Sequence, residues 1–285
     1  MQMLNAKRLF LFAGYDQDGV IDDALIYYLS NLAKFGDVVF YMDNDCAASE
    51  IDKIKKYTLC ACAARHGEYD FGSYKRGYIW ARDNNILQNY DYVYMVNDSV
   101  FGPLMEIERT LNNIESYKSD AAGLVVAHHR THSYMESWFV RLNKTIFLAE
   151  WFDKFLSGIK HERKKTTVTT KYEHGLSNLI ASHNYSWDGV YHVNGRFTYN
   201  HPRNLFLRGC PFVKKASFVR HNGAIGNQIK YIMAHANQDA IAAILVTANR
   251  VYGEKYMRWL LTSNPLKILW RNITYVFKKF IGGAK

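Results

Sequence analysis

The sequence predicts an α/β fold: a mostly parallel sheet flanked by helices, followed by a helical carboxyl-terminal extension. Short apolar runs rich in β-branched and aromatic residues recur at Arg8–Ala13 (RLFLFA), Asp37–Met42 (DVVFYM), Tyr92–Val96 (YVYMV) and Ala121–Ala127 (AAGLVVA). Between them lie stretches with apolar residues at helical spacing, and strand–helix–strand alternation of this kind builds parallel sheets covered by helices. The third observation is Tyr90–Leu104, YDYVYMVNDSVFGPL, where a buried strand stops at Asn97-Asp98-Ser99 ahead of a Gly102-Pro103 turn. Open α/β sheets bind their ligands at the carboxyl ends of strands, so this acidic strand end marks a site.

The elements follow in order. After the first strand, Gly14–Gly19 reads as a loop and Val20–Phe35 as a helix, with Ile21, Leu25, Tyr28, Leu29 and Leu32 on one face and Gly36 ending it. The strand at Asp37–Met42 finishes at Asp43-Asn44-Asp45, Ile51–Tyr57 is a short helix, and Ser73–Gln88 is a helix leading into Tyr92–Val96. Beyond Ala121–Ala127, Ser133–Leu156 reads as one long helical stretch. His161–Thr170 reads as a loop or edge strand, Tyr172–His183 as a short helix, the region to about Gly226 as irregular, and Gln228–Tyr252 as helix again. The expected organisation is a catalytic domain over 1–227 and a helical region over 228–285.

Bulk properties narrow the function. A chain of 285 residues can bury one substantial core. The net charge of +10 calls for an anionic partner, yet there is no zinc finger, RNA-recognition signature or base-reading basic helix, which disfavours nucleic acid. Cys46, Cys60, Cys62 and Cys210 show no metal-ligand spacing and suit a reducing compartment. Leu9–Ala13 is too short for a signal-peptide core, and no window has the apolar length of a spanning helix. A cytoplasmic protein is expected, able to touch a membrane only from its surface.

The carboxyl terminus suits such contact. Pro265 falls where a first-turn proline would, after Ser263 and Asn264 as cap candidates. Leu266, Leu269, Trp270, Ile273, Phe277 and Phe280 form one stripe, and Lys267, Arg271, Thr274 and Lys278 the opposite one. From Lys255 to Lys285 there are seven Lys or Arg and no Asp or Glu. A basic amphipathic helix can lie in an anionic membrane interface; the alternatives are a helix docked on the core with a solvated basic face, or a dimer contact.

Two segments offer chemistry by themselves. Tyr15-Asp16-Gln17-Asp18-Gly19-Val20 resembles the DxDGV opening of haloacid-dehalogenase-type phosphatases, in which the first Asp attacks phosphorus and the second acts as acid/base. No late acidic pair for Mg²⁺ accompanies it, and Asp18 and Asp22 read equally as loop and cap residues. In Arg65-His66-Gly67-Glu68-Tyr69-Asp70-Phe71-Gly72-Ser73-Tyr74-Lys75, glycines permit close backbone approach, Arg65 and Lys75 bring cations, and a helix N-terminus near Ser73 would add oriented N–H groups for a phosphate.

The order of the segments is more specific than any one of them. YDQDGVIDDALIYYLSNLAKFGDVVFYMDND, RHGEYDFGSYKRGY, YDYVYMVNDSVFGPL and the series ESWF (136–139), KYEHGLS (171–177) and GCPFVKK (209–215) together resemble the rhamnan synthesis protein F family. These are bacterial enzymes of surface-polysaccharide assembly related to GT-A type glycosyltransferases. The resemblance implies a GT-A-like, Rossmann-like domain and transfer of a sugar, rhamnose by the family's name, from a dTDP-, UDP- or GDP-sugar. The acceptor would be a lipid-linked surface glycan (O-antigen or capsule), and the enzyme would be peripheral on the inner face of the cytoplasmic membrane.

It also implies residue roles. Asp98, with Asn97 and Ser99 beside it, would meet the diphosphate, through Mg²⁺ or Mn²⁺ if a metal is used; a single carboxylate departs from the DxD pattern, and Asp98 reads equally as a turn cap. Tyr15, Asp43, Arg65, Asp70, Ser73 and Lys75 would complete the donor site. Glu173 would take the acceptor proton with His174 helping to orient it, although a Glu before a helix also has an electrostatic reason to be there. His129, His132, Phe212 and Lys214 would shape the acceptor side, in a region where His128 and Arg130 add further polar groups. Beside the transferase stand a phosphatase built on Asp16 and Asp18 and a non-catalytic glycan-binding protein.

Overall fold

A computed structural model describes residues 6–220 and 224–281, with the side chains at 165 and 275–281 outside that description. Its strands are β1 (Arg8–Gly14), β2 (Asp37–Met42), β3 (Cys60–Ala63), β4 (Tyr92–Asn97), β5 (Val100–Phe101), β6 (Ala121–His128), β7 (Ser133–Met135), β8 (Phe139–Asn143), β9 (Trp187–Asn194) and β10 (Val213–Lys214). Eight of them form one mixed sheet of order β3-β2-β1-β4-β8-β6-β7, with β9 paired to β6. The strands β3, β2, β1 and β4 are mutually parallel, β8 is antiparallel to both β4 and β6, and β9 is parallel to β6. The fold is therefore α/β, a sheet flanked by helices.

By contacts the chain forms two units: Met1–Asp98 with Ile107–Gly195, and Ser99–Glu106 with Arg196–Lys285. The first holds the large sheet. Alternation along β1 supplies both of its faces. Phe10 and Phe12 pack on one side against Tyr94 and Tyr28, at ring separations of 5.0 and 5.2 Å. Leu9, Leu11 and Ala13 turn to the other side, into a core with Val39, Tyr74 and Met95. The first helix covers Asp23–Leu32, beginning later than its apolar spacing predicts because the Asp22 carboxylate accepts from the Leu25 N–H at 2.9 Å and caps it there.

Three expectations are overturned in this unit. Ser133–Leu156 is not one helix but β7, β8 and the helices Lys144–Phe147 and Glu150–Ser157. The run FVRLN lies between β4 and β6, where Phe139, Val140, Arg141 and Leu142 are all buried; a strand covered on both faces lacks the alternation that would distinguish it from a helix. The small-residue strand β3 and the strand β9, within a stretch read as irregular, carry little periodic signal. His161–Thr170 contains the helix Lys165–Val168 and runs into a π-type turn over Thr169–His174.

The second unit contains the β5–β10 ladder and the helices Ile225–His235, Gln238–Tyr252, Glu254–Leu260 and Pro265–Ile281, so the helical stretch from residue 228 lies inside it. The ladder joins two of the quoted segments, SVFGPL and GCPFVKK. Gly102 has a φ of +150°, and a Cβ there would come within 2.5 Å of both the Phe212 ring and the Pro211 carbonyl oxygen, so only glycine fits. Asn264 caps the last helix, its side-chain oxygen accepting from the Leu266 and Lys267 N–H groups at 2.9 and 3.3 Å. Arg271, expected on the polar stripe opposite the apolar one, is buried. Phe277, Lys278 and Phe280 lie outside the described side chains. No helix among the described residues is long and apolar enough to cross a membrane.

Candidate active site

Because β1 to β4 are parallel, the segments after Gly14, Met42, Ala63 and Asn97 emerge along one edge of the first unit. The antiparallel β8 begins at the same edge, and Trp138 accepts there from the Asn97 N–H at 3.2 Å. The site is built from these ends.

Asp43 organises the first part. Its Oδ1 accepts from the His66 and Gly67 N–H groups at 2.9 and 2.7 Å, and its Oδ2 from Tyr69 at 3.0 Å. Tyr69 has a φ of 58°, a left-handed conformation that costs a non-glycine residue energy and that this bond helps to hold. Buried as it is, Asp43 positions the loop opening the helix Tyr69–Asp83. That helix starts four residues before Ser73, and Ser73 is buried, so the expected phosphate-binding N-terminus at Ser73 is absent. Ser73 Oγ instead lies 3.1 Å from His66 Nε2, while His66 Nδ1 accepts from the Glu68 N–H at 3.1 Å, which leaves the proton on Nε2. Burial, then Arg76, pushes the His66 pKa down to about 4, so the ring is neutral. Gly72 makes room for it: a Cβ there would meet the His66 ring at 2.8 Å.

The cations separate into two roles. Lys75 donates to the Ile159 carbonyl and pairs with Glu68, each at 2.7 Å, and Arg76 reaches the same carboxylate at 2.7 Å. Burial pushes Glu68 up, but the bonds from Lys75 and Arg76 outweigh it and its pKa falls. Lys75 is thus tied into the scaffold. Arg65 stays outside, its side chain 59% exposed, with Nη1 on the Asp43 carbonyl at 3.2 Å and its guanidinium 6.0 Å from the centre of the exposed Tyr15 ring.

The second part brings together residues distant in sequence. The Asn97 amide donates to Asp70 Oδ2 at 3.0 Å. Tyr74, one helical turn beyond Asp70, donates to the Ser137 carbonyl at 2.9 Å. Ser137 in turn donates to Glu173 Oε1 from its N–H at 3.0 Å and its hydroxyl at 3.1 Å. Burial, then the Asp70 carboxylate and, more weakly, Glu173, holds the Tyr74 hydroxyl well above its ordinary pKa. Glu173 sits in the π-type turn Thr169–His174, a distortion that often accompanies functional residues. Tyr74 and Ser137 were missed as site residues, although Tyr74 stands at helical spacing from Asp70 and Ser137 lies inside ESWF.

His174 follows Glu173 with its ring centre 3.9 Å from Tyr134 and 4.7 Å from His132, and His132 stacks on His129 at 5.0 Å. Burial, then His132 and His129, lowers the His174 pKa, which favours its neutral ring. His128 belongs to a different chain of contacts, with Nδ1 2.7 Å from Ser133 Oγ and Nε2 2.9 Å from His192.

Asp98 is half-buried and its N–H donates to the Ala13 carbonyl at 3.2 Å, extending the β1–β4 ladder. Among the described residues, no group of three or more His, Cys, Asp and Glu side chains is placed to hold a metal ion. A divalent site built by protein alone does not fit; Mg²⁺ or Mn²⁺ would draw most of its ligands from a diphosphate and water. The second unit contains Ser99, whose Oγ accepts from the buried Lys214 ammonium at 3.2 Å, with that ammonium 5.6 Å from the Tyr199 ring centre. Phe212, expected to line an acceptor site, is buried over Gly102 and fills the core of this unit. Asp16 closes its own loop, with Oδ1 accepting from the Asp18 and Val20 N–H groups at 3.0 and 3.1 Å, and this favours the loop reading over a phosphatase nucleophile.

A mostly parallel α/β sheet with polar residues converging at its strand ends belongs to the broad class that binds ligands there. Within that class the family is shown by sequence: the model of rhamnan synthesis protein F matches residues 38–278, and the chain belongs to that family. No curated protein matches the chain. Among solved structures it is similar to a glycosyltransferase involved in glycosylating the major capsid of PBCV-1, with 8% identity, 80% of this chain and 98% of that one covered, and a TM-score of 0.40. It is also similar to the glycosyltransferase GlyE of Streptococcus pneumoniae, with 11% identity, 86% and 64% covered, and a TM-score of 0.43. Likenesses this distant add nothing to the chemistry.

Proposed function

We propose that the protein is a glycosyltransferase moving a sugar from a nucleotide-sugar to a growing, lipid-linked bacterial surface polysaccharide. The reading rests on one observation: the segments around Asp70, Asn97, Ser137 and Glu173, far apart in sequence, are linked through Tyr74 at the carboxyl edge of the sheet. Rhamnose is the sugar the family's name supports. The donor would lie along that edge, with Tyr15 and Arg65 exposed toward it and Asp70, Asn97 and Asp98 at the reacting end. Asp43, Ser73 and Lys75 act as positioning residues, because their polar atoms hold the loop and helix on which the others stand.

Glu173 is the proton acceptor in this reading. Ser137 fixes one of its oxygens, so the carboxylate is oriented before substrate arrives. As the acceptor hydroxyl oxygen bonds to the anomeric carbon, its proton passes to Glu173. The bond from that carbon to the diphosphate breaks, and the diphosphate leaves with the electron pair. Arg65 meets its charge. His129, His132 and His174 form the aromatic wall on the acceptor side in this reading, and Lys214 and Ser99 form a polar pair within the second unit. Localisation at the inner face of the cytoplasmic membrane follows from the lipid-linked acceptor.

The test is a thermal-shift panel of UDP, dTDP, GDP and CMP, each with and without Mg²⁺ or Mn²⁺. A nucleotide at a hundred times its dissociation constant stabilises the fold by about 2.7 kcal/mol. A shift confined to one nucleotide names the donor class, and its dependence on metal tests Asp98. No shift with any nucleotide would sink the reading.

A further inference from the structure

An amphipathic helix docked on a protein core turns its apolar stripe inward and its charges toward water. Over its described side chains, the helix Pro265–Ile281 instead turns Arg271 inward and its apolar stripe outward. Arg271 is 4% exposed and donates from Nη1 to the Leu260 carbonyl at 2.6 Å, and its guanidinium lies against Gly226, where any Cβ would collide with it. With the arginine anchored inward, Leu266 is 76% exposed, Trp270 64%, Leu269 56% and Ile273 37%. Trp259, on the neighbouring helix Glu254–Leu260, is also exposed. A groove of about 550 Å³ runs between the two helices, lined by Lys255, Arg258, Trp259, Leu266, Lys267 and Trp270.

The charge around this face identifies its occupant. Three of the six lining residues are cations, and the sequence from Lys255 to Lys285 contains no Asp or Glu. Exposed Trp and Leu ringed by Lys and Arg is the composition of a surface that lies in the headgroup layer of an anionic bilayer. There the indoles sit at the interface, the leucines reach the acyl boundary and the cations meet lipid phosphates. We propose that the helices Glu254–Leu260 and Pro265–Ile281 form a docking surface for anionic glycerophospholipid headgroups, with the groove between them seating the phosphate and Arg271 fixing the helix so that its apolar stripe faces the lipid. This deepens, and rests on, the membrane localisation in the reading above, and it is independent of the nucleotide site.

The experiment is co-sedimentation of the full chain with vesicles of phosphatidylcholine containing phosphatidylglycerol, against phosphatidylcholine alone. Binding is expected to the anionic vesicles, to weaken with salt, and to persist in inorganic phosphate. The exposed-face variant L266S/W270S and the charge variant K255E/R258E/K267E should each lower it by about tenfold or more. Both should keep the wild-type melting temperature and whatever nucleotide-induced shift the wild type shows, so lost lipid binding is read apart from a failed donor site. Equal binding to both vesicle types, or unchanged binding by both variants, overturns the proposal. So does a concentration-dependent dimer in solution that L266S/W270S abolishes, which would assign the face to a second copy.

Discussion

Glu115 at one end of the parallel strands of the first unit, and Asp70 and Glu173 at the other, are held by different kinds of donor. At the amino end, Glu115 receives the Arg8 guanidinium in two bonds of 2.6 and 2.8 Å and the Tyr94 hydroxyl at 2.6 Å. The pair cancels its own charge. Burial works against the Arg8 cation, but Glu115 outweighs it and raises the pKa, while burial, then Glu115, pushes Tyr94 far up. At the carboxyl end, Asp70 is oriented by the Asn97 amide and Glu173 by the Ser137 N–H and hydroxyl. A neutral donor fixes the direction of a carboxylate without cancelling its charge. The Glu115 contact is a salt-bridged clasp, whereas the Asn97 and Ser137 contacts orient a carboxylate through neutral donors.

The largest expected effect separates the two. Glu173→Gln should lower sugar transfer by about 10²- to 10⁴-fold while leaving the chemical-denaturation midpoint nearly unchanged; a substantial fall in stability with activity retained would make Glu173 a clasp as well. Glu115→Ala should do the reverse, costing about 3–5 kcal/mol in urea unfolding because it strands Arg8, while the folded fraction keeps its specific activity.

Asp43 sharpens the comparison because it lies at the carboxyl end yet acts structurally. Asp43→Asn swaps one acceptor oxygen for an amide facing N–H donors, and should cost about 1–3 kcal/mol of stability and weaken the nucleotide-induced thermal shift. A normal shift at lowered stability would confine Asp43 to folding. The last test is in pH. With a folded pKa of about 4, below the ordinary value of 6.5, His66 binds fewer protons in the native state than in the unfolded chain. Its contribution is complete above about pH 6.5 and is lost as pH falls toward 4. Urea midpoints across that window should drop in the wild type and flatten in His66→Gln.

Much of the sheet was readable because its strands are locally distinctive. The runs RLFLFA, DVVFYM and YVYMV are bounded by glycine or acidic residues, and the helix after Asp22 has its cap in sequence. The run FVRLN was misread because burial on both faces erases alternation, and its identity as a strand comes from β4 and β6 rather than from itself. The site was readable only in part for a similar reason. Asp70, Asn97 and Glu173 stand in recognisable segments, but their links through Tyr74 and Ser137 cross sequence separations that no local pattern encodes.

By itself the sequence determined the α/β class, the family, and the start of the last helix at Asn264-Pro265, since each is carried by its own local residues. Only the tertiary structure decided that Ser73 and Phe212 are packing residues, that Ser137 orients Glu173, and that Arg271 turns inward while Trp270 turns out. A helical pattern fixes which residues share a face, and the direction of that face depends on what the rest of the chain offers: here the Leu260 carbonyl and the space over Gly226.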